Sequence, residues 1–141
     1  MADTENTRET FREKLSRWLP AVLWMGLIFT LSSFSYPGYV VRFFRYQDKL
    51  VHLVEFGILG ILLARALRPG SGAGPGRYWS AFAMAALFGV LDELHQSFVP
   101  GRMMDWRDFI ADSLGALIFI QIWAATKKEG FVSAPPEVEN E

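Results

Sequence analysis

The chain of 141 residues has no cysteine. That excludes a disulfide scaffold and any thiolate metal centre. It has almost no net charge either: 15 acidic side chains against 14 basic ones give a formal charge of -1. Nothing in that balance calls for a nucleic-acid partner, and none is expected. Histidine is scarce, with only two copies. No Ser or Cys nucleophile stands beside either of them in sequence. The glycine-rich run 70–76 resembles a phosphate loop, but it lacks the Lys-Ser/Thr ending and a preceding strand, and it reads as a linker. No cofactor motif is present, and no cofactor or metal is expected.

What is abundant is apolar sequence, 51% of the chain, gathered into runs with the charges between them. That content excludes a disordered chain. No charge occurs between Arg17 and Arg42, so Trp18 to about Phe34 reads as a transmembrane helix with Trp18 and Tyr36 as interfacial anchors. Three further apolar stretches follow, Leu50–Leu67, Tyr78–Val99 and Phe109–Thr126. Before the first, Thr10 and Glu13 fit a capping box, and Phe11, Leu15, Trp18 and Leu19 form one stripe. That stripe predicts a short amphipathic segment on the membrane surface. The expected fold is therefore all-α: an integral membrane bundle of four transmembrane helices over residues 10–128, with disordered residues 1–9 and a disordered acidic tail, 129–141. With four spans, nine Lys and Arg fall on the side of the termini and five on the other. Both termini are then expected in the cytoplasm.

At a rise of about 1.5 Å per residue, the polar residues of the last three spans fall at a common shallow depth on the noncytoplasmic side. They are His52 and Glu55 in the second, Asp92, Glu93, His95 and Gln96 in the third, and Asp112 in the fourth. Ionised groups in hydrocarbon cost several kcal/mol and turn inward to partners. Asp–Arg and His–Glu pairs tying helix ends together are the plain alternative to a functional pocket. Gly57, Gly60 and Ala64, with Gly115 and Ala116, give the second and fourth helices small-residue sides for close packing.

The ordered set Asp48-Lys49-x-x-His52-x-x-x-Phe56, Glu93-x-x-Gln96-x-x-x-Pro100-Gly101-Arg102, then Asp105, Asp108 and Asp112-x-x-Gly115 resembles the VanZ-like family over about residues 20–125. The chain departs at Asp112, where the family often carries asparagine, and Asp92 and His95 add local charge. The resemblance implies a small multi-span protein of the bacterial inner membrane. Its founding member is associated with low-level resistance to the glycopeptide teicoplanin.

Four readings of the polar layer stand side by side. An enzyme would act on an amphipathic, lipid-linked or phosphate-bearing envelope substrate. His52 would be its acid or base, Glu93 a second proton-transfer group and Asp108 an orienting carboxylate. Lys49 and Arg102 would hold an anion, Gln96 would hydrogen-bond the substrate, and Asp48, Asp105 and Asp112 would complete the binding set. A nonenzymatic binder would use the same residues to recognise a lipid headgroup, a precursor or the glycopeptide. A transporter or flippase would need polar residues deeper toward the cytoplasm, where the last helix offers only Gln121, or a homo-oligomer. A metal site would draw on the i, i+3 pairs His52–Glu55 and Asp92–His95. Membrane lipids are the expected surroundings in every case.

Overall fold

A computed structural model describes residues 11–35, 46–67 and 76–126. Within them the chain is all-α, with four helices: α1 (Phe11–Ser32), α2 (Gln47–Ala66), α3 (Gly76–Gln96) and α4 (Trp106–Thr126). The Thr10 cap, the Tyr36 anchor, the Pro37-Gly38 turn, most of the 70–76 linker and both terminal segments lie outside the described residues.

The expected surface segment and the first span are one continuous helix. Pro20 sits inside it and removes one backbone donor, yet the helix runs on through Ser32. The Phe11, Leu15 and Leu19 stripe is exposed along the start of α1 rather than forming a separate element. The third helix ends at Gln96, three residues before the expected Val99. Tight turns replace its last stretch, with Ser97, Phe98 and Val99 donating to the carbonyls of Glu93, His95 and Gln96. Gly101 then takes a left-handed backbone (φ 81°), which explains glycine between Pro100 and Arg102. The Asp105 carboxylate accepts the Arg107 N–H at 3.0 Å and caps α4, which begins at Trp106, earlier than the expected Phe109.

The helices alternate in direction, so the C-terminal ends of α1 and α3 and the N-terminal ends of α2 and α4 share one end of the bundle. The closest pair is α2 and α4, and glycine makes it so. A Cβ at Gly115 would collide with the backbone of Leu53, whose carbonyl carbon lies 2.8 Å away. At Gly60 it would meet the Ala116 backbone at 3.1 Å, and at Gly57 the Phe119 ring at 2.7 Å. The small-residue sides anticipated on these helices therefore face each other. Phe56, Leu59, Leu63, Tyr78, Ala81, Ala85, Ala116 and Ile120 form the apolar core, and Ala21 and Ile28 of α1 complete it. The Trp24 indole N–H donates to the Glu55 carbonyl at 2.9 Å and pins α1 to α2.

The outer faces are apolar. On α4, Ile110, Leu114, Ile118 and Ile122 recur every four residues and are all exposed, while Asp108 and Asp112 are buried on the opposite side. Val22, Leu23 and Leu27 on α1 and Leu87, Val90, Leu91 and Leu94 on α3 repeat the pattern. Two helices, α1 and α4, are long and apolar enough to cross a membrane, with mean hydropathies of 1.3 and 1.6. In α2 and α3 the residues that set them apart are the polar ones themselves: Asp48, Lys49, His52, Glu55 and Arg65, and Arg77, Asp92, Glu93, His95 and Gln96.

Candidate functional site

The polar side chains gather at the shared end of the bundle in two clusters. The first joins α2, α3 and α4. His52 Nδ1 lies 3.0 Å from Asp112 Oδ1, in a pair with 9% and 0% of their surfaces exposed. Glu93, 3% exposed, reaches the same place from α3, and one donor atom from each of His52, Glu93 and Asp112 lies within 4.8 Å of the others. Helix geometry explains the meeting. His52 sits one turn above Phe56, whose ring plane lies within 5° of its own, and both point between α3 and α4. Gly89 keeps α3 free of a side chain where Asp112 lies, since a Cβ there would stand 3.1 Å from Asp112 Oδ2. Glu93 is fixed through its other oxygen, which accepts the Asp105 backbone N–H at 2.8 Å.

Above this trio, Lys49 Nζ lies 2.6 Å from Asp108, 2.7 Å from Asp105 and 3.2 Å from Asp48. The Asp108 contact is a close ion pair. Asp108 is buried beside the Lys49 ammonium. Arg102 Nε donates to the Phe34 carbonyl at 3.3 Å.

The second cluster joins α1 and α3. Asp92 Oδ2 accepts from Ser32 Oγ at 2.9 Å and from Gln96 Nε2 at 2.9 Å, and all three residues are buried. Gln96 thus turns toward α1 and away from Glu93. His95 Nε2 lies 2.9 Å from Ser33 Oγ, and its ring stacks on Phe29 with centroids 4.1 Å apart. Sequence reasoning left Ser32 out. The only signal was the serine-rich end of the first span, Leu31-Ser32-Ser33-Phe34-Ser35.

Of the anticipated site residues, the structure unites His52, Glu93 and Asp112, and places Lys49, Asp48, Asp105 and Asp108 in a charged cap joined to them through the Asp105–Glu93 bond. Gln96 and Arg102 have their described contacts on the α1 side.

The Lys49 ammonium and then the Arg107 N–H hold the Asp105 carboxyl below its ordinary range. A proton therefore binds Asp105 less tightly in the folded chain than in the unfolded one. Its contribution to stability is present above about pH 4, the ordinary carboxylate value, and is lost as pH falls through the depressed one. Acid titration followed by the fluorescence of neighbouring Trp106 is expected to report release of the α3–α4 loop below about pH 4. The Asp105→Asn variant should lack that step.

A small helical bundle, apolar outside and polar within, is the class of protein these features define. The chain belongs to the VanZ/LLP1 family, whose match spans residues 4–127. No curated protein and no solved structure matches it.

Proposed function

We propose that the chain is a four-span protein of the bacterial inner membrane, with both termini cytoplasmic, whose polar pocket opens toward the outer leaflet. In this reading the pocket acts on an amphipathic envelope substrate bearing a phosphate or a lipid-linked headgroup. Helices of 20 to 22 residues rise about 30 Å, the thickness of the hydrocarbon core. Their exposed faces carry the apolar surface that lipid requires, and a soluble monomer rarely exposes so much of it.

The observation that carries the reading is the burial of His52, Glu93 and Asp112, drawn from three helices, directly beneath the Lys49 cap. Structural ties between helix ends do not need three titratable groups sharing one space. Lys49 and Arg102 supply positive charge at the headgroup level. His52, oriented by Asp112, and Glu93 supply proton transfer below it. Asp108 and Asp105 position Lys49. Resistance to a glycopeptide, as in the founding member of the resembled family, agrees with a pocket working on envelope precursors at the outer face.

The test uses the full chain in nanodiscs of phosphatidylglycerol and a polyprenyl phosphate, with lipid retention and lipid conversion read by mass spectrometry. Lys49→Met is expected to weaken retention of the phosphate-bearing lipid about tenfold, the equivalent of about 1.4 kcal/mol. His52→Gln is expected to leave retention intact and abolish conversion. If retention and conversion fall together for every substitution, the protein is a binder and the catalytic reading fails.

A further inference from the structure

We propose that His52, Glu93 and Asp112 bind one divalent ion of the first transition row, Zn²⁺ or Mn²⁺. The proposal rests on the pocket reading above for what the ion does. Its binding test needs no substrate, so the two can fail separately.

One donor atom from each of the three residues lies inside 4.8 Å of the others. Bonds of about 2.0–2.2 Å to Zn²⁺ put ligand atoms of a tetrahedral site roughly 3.4 Å apart. Small side-chain rotations close that difference. Glu93 Oε1 and Asp112 Oδ2 are both shielded, and neither has a hydrogen-bond partner among the described residues. Both residues are more than nine-tenths buried. A buried carboxylate oxygen without a partner is costly, and native folds rarely leave one. Two of them in one space, beside an imidazole, make a donor set that lacks its electrophile.

Lysine does not fill that role. The Lys49 ammonium is directed to Asp48, Asp105 and Asp108. Glu93 is also oriented from outside, as metal ligands commonly are. The Asp105 N–H holds the second oxygen of Glu93, Phe56 lies parallel to the His52 ring, and Gly89 makes room for the Asp112 carboxylate. The pairs available in sequence, His52–Glu55 and Asp92–His95, are not the ones assembled. Asp92 Oδ2 accepts from Ser32 and Gln96 on the α1 side, and His95 lies beside Ser33.

One imidazole and two carboxylates suit Zn²⁺ or Mn²⁺ better than a soft ion, and a chain without cysteine offers no thiolate. Three protein ligands leave at least one coordination position open. A water or a phosphoryl oxygen of the substrate would occupy it, and in the ion-loaded protein the proton transfer assigned above to His52 and Glu93 would pass to the bound water.

The experiment takes the full-length protein in detergent or nanodiscs, strips it with a chelator and titrates it with ZnCl₂ or MnCl₂. Metal content is read by mass spectrometry and binding by calorimetry. One equivalent per chain is expected, with affinity falling at least tenfold in Glu93→Gln and in Asp112→Asn. Mn²⁺-loaded wild type should show electron spin-echo modulation from imidazole nitrogen. That signal should persist in His95→Gln, which removes the only other histidine, even if variants of the trio do not fold. Absence of stoichiometric ion in the wild type overturns the proposal. So does full affinity in folded Glu93→Gln and Asp112→Asn, or loss of the nitrogen signal in His95→Gln.

Discussion

Gly115→Leu is expected to destroy the bundle. The position on α4 faces the α2 backbone, and even a single added methyl group would run into the Leu53 carbonyl. A clash with the far end of a flexible side chain can be relieved by a rotamer change. A clash with a backbone carbonyl can be relieved only by moving a helix, because that carbonyl is held in the α2 ladder. Moving α2 away from α4 would also open the Gly60–Ala116 contact and separate His52 from Asp112. Overpacking in a well-filled core costs about 1–3 kcal/mol. Here the loss of those dependent contacts adds to it, and about 3 kcal/mol or more is expected. Unfolding of the protein from bicelles into SDS, followed by tryptophan fluorescence, gives the measurement. Gly26→Ala is the matched control, because nothing lies within 4 Å of a Cβ there. It should be neutral or stabilising by up to about 1 kcal/mol, the gain from replacing an exposed helical glycine. If Gly115→Leu unfolds at the wild-type midpoint, the close α2–α4 packing is wrong.

The division of the chain into four helices was legible because apolar runs and their breakers carry that information directly. The C-terminal limit of α3 and the N-terminal limits of α2 and α4 were less so. The early start of α4 depends on Asp105 as a cap, and that role is settled only when the preceding loop folds back. The meeting of His52, Glu93 and Asp112 was foreshadowed by their common depth, since each helix enters from a known end and rises by a fixed increment. Rotation about each helix axis was harder to read. Asp92 and Glu93 are neighbours in sequence, but successive residues on a helix point about 100° apart. Asp92 therefore turns to Ser32 on α1, and Glu93 turns to the α4 side. Gln96 stands four residues from one and three from the other, so spacing alone allowed either partner, and the structure gives it to Asp92. Arg102 was equally open. A residue after a left-handed glycine has no periodicity to orient it, and its Nε contact with the Phe34 carbonyl follows from how α1 docks.

His52→Leu should be the most destabilising of the polar substitutions, and its partner should rescue it. Asp112 is fully buried, and His52 is its described hydrogen-bond partner. Removing the imidazole strands a carboxylate in the bundle, and breaking a buried pair in this way costs about 3–5 kcal/mol. Asp112→Asn is far milder, because the amide oxygen can still accept from an imidazole N–H, and a loss within about 1 kcal/mol is expected. The double replacement His52→Leu with Asp112→Leu removes both polar groups and should recover at least half of the single-variant loss, since apolar pairs of similar volume often match a buried ion pair in stability. Unfolding in bicelles of wild type, His52→Leu, Asp112→Leu and the double variant makes the cycle, with Asp112→Asn measured beside it and coupling taken as the departure from additivity. Additive effects, with no recovery in the double variant, would mean that His52 and Asp112 do not face each other in the folded protein. Recovery of stability without recovery of metal binding or lipid conversion would separate what the pair contributes to folding from what it contributes to function.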